Sequence, residues 1–109
     1  MLTLSESTMQ NLQSTTLREG MEKIARVLHE CFPDRIIDTE YALAYTKNSF
    51  QNMKKFPIED EELPYWTFLS VIMGNEHFYK APEMQDYFSL EGREKVRQLF
   101  HSVQNHISN

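Results

Sequence analysis

The side chains able to do chemistry in this chain are few, and their spacing does not bring them together. Histidines stand at positions 29, 77, 101 and 106, and the single cysteine is Cys31. On a helix, side chains three or four positions apart share a face. His29 and Cys31 are two apart and His101 and His106 five apart, so neither pair converges on a metal. No His-Glu-x-x-His and no Cys-x-x-Cys occurs, which leaves zinc without its usual ligand spacing. The histidines read as surface or half-buried side chains. Cys31 falls beside Phe32 on an apolar stripe, the setting of a buried structural thiol, and no neighbouring base marks it as a nucleophile. The run Glu59-Asp60-Glu61-Glu62 lacks the alternating ligands and the glycine of a calcium loop. It reads as carboxylates gathered at the positive end of a helix. Neither a glycine-rich phosphate cradle nor a Gly-x-Ser-x-Gly elbow is present. The expectation is a chain that is not an enzyme, with no catalytic residue, no metal and no cofactor.

The element that would organise such a chain is Leu63 to Gly74, which holds the only Trp and the densest apolar run. Pro64 suits the first turn of a helix, where its missing N–H costs nothing, and Gly74 suits the left-handed position just past a helix end. Tyr65, Phe68, Leu69, Ile72 and Met73 recur at spacings of three and four, with Trp66 and Val71 widening the stripe. A buried strand is the rival reading, and the Pro and Gly brackets favour a helix buried on most sides.

Around it the chain predicts further helices. Leu2 and Leu4 precede Ser5, an N-cap candidate, and Met9 and Leu12 begin a stripe that weak helix formers at 13–16 interrupt. Leu17, Met21, Ile24, Ala25, Leu28, Cys31 and Phe32 resume it until Pro33 ends the helix. Asp38 or Thr39 is the next N-cap, ahead of Ala42, Leu43, Tyr45, Thr46, Phe50 and Met53, with Lys54 and Lys55 at the negative end. Phe56-Pro57-Ile58 is an extended connector and 75–80 a loop. Pro82 opens a short helix carrying Met84, Tyr87 and Phe88. Ser89 caps a last helix whose apolar face is Val96, Leu99, Phe100, Val103 and Ile107 and whose polar side carries Arg93, Lys95 and Arg97. The sum is one all-α domain over residues 1–109, a compact bundle of about four main helices plus one short helix.

Charge narrows the partners. Residues 56–91 carry eight acidic side chains against Lys80 alone, while the first half is balanced. That distribution repels phosphate backbones, so nucleic acid is excluded and a basic protein surface is favoured. No apolar run approaches the roughly 20 residues of a membrane span, and the Met1–Glu6 start lacks the features of a signal peptide. A lone cysteine fits a reducing compartment, and the expected location is the cytoplasm. The aromatics concentrate in the acidic half. Tyr65, Trp66, Phe78, Tyr79 and Tyr87, rimmed by Glu59, Glu61 and Glu62, are the expected protein-binding face, since Tyr and Trp anchor interfaces.

The order of motifs resembles a set of short bacterial proteins. These open with a Met-Leu-Thr-Leu or Met-Ile-Thr-Ile start, followed by a helix ending Leu-x-x-x-Phe-Pro, matched by Leu28 to Pro33. Then come an aromatic-x-Ile connector, matched by Phe56-Pro57-Ile58, and an apolar helix ending Leu-Gly or Met-Gly, matched by Met73-Gly74. The fit runs from Met1 to about Phe88. This chain departs from it in carrying Pro64 inside the apolar helix and fewer arginines. The resemblance implies a helical accessory protein, encoded beside genes for type VI secretion spike tips and toxic cargo, with no catalytic residue to carry over. The leading functional expectation is a non-enzymatic interaction module, an adaptor or chaperone-like partner of a secreted effector. The runner-up is an immunity protein neutralising a toxin. A weaker third is a small-ligand-binding helical domain, marked by His77 and Glu76 converging in an apolar pocket. A homo-oligomer fits the apolar Met9–Leu12 stripe.

Overall fold

The computed structural model describes residues 16–89 and 92–108. Every regular element among them is helical, so the fold is all-α. In chain order the α-helices are α1 (Leu17–Cys31), α2 (Thr39–Met53), α3 (Leu63–Ile72), α4 (Pro82–Ser89) and α5 (Gly92–Ser108), with single 3-10 turns at Asp60–Glu62 and Phe78–Lys80. The readings at Leu2, Leu4, Ser5, Met9 and Leu12 lie outside the described residues. Contacts divide the chain into two compact units, one reaching Asn48 and the other running from Ser49 onward, with the boundary inside α2.

In the first unit, Thr16 is the N-cap of α1. Its hydroxyl accepts from the Glu19 N–H at 3.2 Å, which turns the weak helix formers before Leu17 into a start signal. Met21, Ile24, Ala25 and Leu28 are buried, as their spacing predicts. Beyond Cys31 the Ile36 N–H reaches back to the Phe32 carbonyl at 2.8 Å, and His29 Nδ1 sits 2.7 Å from the Ile36 carbonyl oxygen, where it donates. These bonds shape the connector into α2. Asp38 caps α2, accepting the Tyr41 N–H at 2.7 Å. Asp38→Ala is expected to cost about 1 kcal/mol and Asp38→Asn much less, read from the shift in urea midpoint. Equal losses would show that the carboxylate charge, not the cap bond, is what matters.

In the second unit, α3 is buried from Leu63 to Val71, which explains why its sequence is apolar on most sides. Pro64 falls in the first turn. At the other end the chain closes in a Schellman motif. Gly74 has φ +71°, its N–H bonds the Val71 carbonyl at 3.0 Å, and the Asn75 N–H bonds the Ser70 carbonyl at 3.1 Å. Two terminal carbonyls of a buried helix are thereby satisfied. The predicted loop 75–80 contains the second 3-10 turn, and Phe78 and Tyr79 point inward from it. Ser89 is not the cap of the last helix. It has helical geometry as the last residue of α4, and α5 begins at Gly92. The apolar pair Tyr87 and Phe88 carries α4 through that position. On α5, Val96 and Phe100 are buried and Leu99 and Val103 half-buried, while the side chains of Arg93 and Ile107 lie outside the description. No helix among the described residues is long and apolar enough to cross a membrane.

Candidate functional site

The acidic and aromatic residues expected to form one contact face do not share a surface. Trp66, Tyr65, Phe78 and Tyr79 are all buried, Trp66 and Tyr65 completely. Trp66 lies at the centre of an aromatic cluster, with Phe78 at 4.9 Å, Phe88 at 5.2 Å, Phe56 at 5.9 Å and Tyr79 at 6.0 Å between ring centroids. These separations are typical of interior ring pairs. Tyr87 is half-buried, and its hydroxyl donates to the Lys95 carbonyl at 3.3 Å. Only Glu59 and Glu61 of the eight expected contact residues are exposed. The burial of these rings has a physical origin. A chain of this length must commit its large rings to a single core before any are spared for a partner.

Glu62 departs furthest from expectation. Its side chain is fully buried and makes no helix cap. The carboxylate instead accepts two bonds from Arg97, Nε to Oε2 at 2.7 Å and Nη2 to Oε1 at 2.9 Å. The guanidinium lies 4.9 Å from the ring centroid of Tyr65. Arg97, predicted on the polar side of α5, therefore turns inward and clasps the start of α3. This planar fork on a carboxylate and over a ring is geometry that Arg provides and Lys does not.

A second polar cluster surrounds Tyr79. Its hydroxyl donates to Asn52 Oδ1 at 3.1 Å, accepts from Lys55 Nζ at 3.1 Å and lies 3.4 Å from His77 Nδ1. These bonds tie the end of α2 to the second 3-10 turn. Lys54 and Lys55 directly follow the last residue of α2. Lys54 also reaches the Ile58 carbonyl at 2.7 Å and Asp60 at 3.0 Å, holding the connector. His77 is exposed, and His29 and His101 are half-buried. Cys31 is half-buried rather than enclosed, and burial, with a smaller push from the Glu30 charge, raises its thiol above the usual range. Fewer thiolates form at neutral pH, which makes it a weaker nucleophile than an ordinary cysteine. Among the described residues no group of His, Cys, Asp or Glu could hold a metal ion.

Two open cavities among the described residues lie in the first unit. Leu17, Arg18, Met21 and Glu22 of α1 line a cavity of about 440 Å³ with Leu43 and Lys47 of α2. Glu22, Ala25 and Arg26 line another of about 480 Å³ with Thr39, Glu40 and Leu43. The cavities share Glu22 and Leu43, so they form one groove, and the residue order shows that α1 and α2 run antiparallel along it. Its floor is Leu17, Met21, Ala25 and Leu43, and its rims are charged. Ile37 and Tyr41 also stand out on this unit, 68% and 47% exposed. Sequence periodicity marked Leu43 only as part of an apolar stripe. The signal for an open face was available in α2 itself, whose apolar residues spread over more than one side.

Comparison of the chain with protein-family models, with curated proteins and with solved structures found no match. The groove therefore carries the functional argument on its own geometry.

Proposed function

We propose that the chain is a non-enzymatic protein-interaction module that receives an amphipathic helix of another protein in the groove between α1 and α2. The observation that carries this reading is the groove's composition: an apolar floor of Leu17, Met21, Ala25 and Leu43 between charged rims. Helix-in-groove recognition needs that pattern, with the apolar face of the incoming helix on the floor and its polar flanks on the rims. The rims carry both signs, Arg18, Arg26 and Lys47 against Glu22 and Glu40, with Arg18 Nε 3.4 Å from Glu22, and so suit a helix with mixed charges beside its apolar stripe. The bacterial secretion setting rests on the resemblance of the motif order, and it makes the partner an effector or a component of its delivery apparatus, with this chain as adaptor.

The test places a charge on the floor. A partner recovered with the tagged protein from its own cells is purified and titrated calorimetrically against wild type, Leu43→Arg and the control Glu83→Arg, at an exposed position of α4. One-to-one binding by wild type and the control is expected, weakened at least about tenfold by Leu43→Arg, because the long charged side chain replaces the apolar contact and fills the floor the incoming helix would cover. Unchanged affinity for Leu43→Arg would remove the groove from recognition.

A further inference from the structure

α2 shows a second exposed face, separate from the groove. Its buried side is Ala42, Thr46 and Ser49, and its groove side is Thr39, Glu40, Leu43 and Lys47. Tyr41, Ala44 and Asn48 occupy a third side, within an arc of about 60° around the helix axis. All three are exposed, and Ile37, just ahead of the helix, extends the line at 68% exposure. Within the helix, positions 41, 44 and 48 are spaced three and four. That is the spacing of a helix-pairing seam. Tyr45 lies alongside, its ring 6.4 Å from that of Tyr41.

We infer that this seam pairs antiparallel, about a two-fold axis, with the same seam of a second copy of the chain. The pattern is self-complementary in two respects. In bulk, a two-fold axis midway between positions 41 and 44 sets each Tyr41 against the partner copy's Ala44, large against small. In charge, the same axis brings Glu40 of each copy toward Lys47 of the other, on the flank of the seam. Both side chains are exposed, and neither has an ion pair among the described residues. One surface patch that satisfies itself by rotation is the requirement for an isologous dimer. Opposite charges on one flank suit the antiparallel arrangement, in which that flank of each copy faces the same flank of the other, whereas in a parallel two-fold pair it would face the opposite flank.

The experiment is sedimentation velocity across a concentration series, on wild type, Glu40→Lys, Lys47→Glu and the double variant. Wild type sediments as a dimer at the higher concentrations. Each single reversal raises the dissociation constant at least about tenfold, because two attractions become two repulsions. The double variant recovers the dimer. An equimolar mixture of the two single variants also forms dimers, since one supplies only lysines and the other only glutamates at the flanks. Glu40→Lys also places a cation in the first turn of α2, and the double variant carries the same lysine, so its recovery separates pairing from any loss of helix. The inference is overturned if wild type stays monomeric throughout, if its dimer ignores both reversals, or if neither the double variant nor the mixture restores what the single variants lose.

Discussion

Replacing Arg97 with alanine lowers the unfolding free energy by about 3 kcal/mol, the low end of the range for breaking a buried ion pair because Arg97 keeps a third of its own exposure. Glu62 is the reason. Its carboxylate is fully buried and held by two short bonds from one guanidinium. Without that fork, a charge taken out of water loses its principal compensation, whereas Arg97 itself is easily solvated elsewhere. Arg97→Lys is expected to recover only part of the loss. An ammonium keeps the charge but cannot bond both oxygens in a plane while stacking on Tyr65. Converting both partners to methionine, Glu62→Met with Arg97→Met, is expected to restore most of the stability, because the cost lies in the orphaned charge rather than in the absence of the pair. Urea titration followed by Trp66 fluorescence measures all three, since the chain's only tryptophan is buried. A loss below about 0.5 kcal/mol for Arg97→Ala, the ordinary level of a surface substitution, would show that the pair does not hold α3 to α5.

How far the sequence reveals this molecule depends on the range of the interaction concerned. Local signals were legible. Pro64 and Gly74 bracket α3, Asp38 caps α2, and Pro82 opens α4, because each acts through its own backbone geometry within a few residues. The all-α class follows from the same periodicities. Pairings across the chain were not legible. Glu62 and Arg97 are 35 positions apart, and each has an adequate local explanation as a helix-start carboxylate or a solvated cation on a polar face. Nothing in either neighbourhood announces that one will be buried by the other. The aromatics failed for a related reason. Tyr65, Trp66, Phe78 and Tyr79 are equally good interface anchors and core residues, and composition alone does not say which. The groove was least legible, since it depends on how two helices lie beside each other, a property of their placement rather than of either pattern.

Trp66 separates the cost of lost volume from the cost of an unpaired polar atom. Its ring is fully buried among Phe56, Phe78, Tyr79 and Phe88, and its indole N–H finds no acceptor among the described residues. Trp66→Ala empties the centre of that cluster and is expected to cost about 4 kcal/mol. That is a large share of the roughly 5–15 kcal/mol that stabilises a domain. Trp66→Phe also removes volume, but it deletes the buried donor at the same time, a relief of about 1–3 kcal/mol. The two effects oppose each other, so Trp66→Phe is expected to cost only about 1 kcal/mol, well below the ordinary penalty for shrinking a central ring. Both variants lack the fluorophore, and their urea transitions are followed by circular dichroism at helical wavelengths. A Trp66→Phe penalty close to that of Trp66→Ala would mean the indole N–H is satisfied in solution and contributes to stability. A small penalty would mean that position 66 holds a tryptophan for its bulk in the aromatic core.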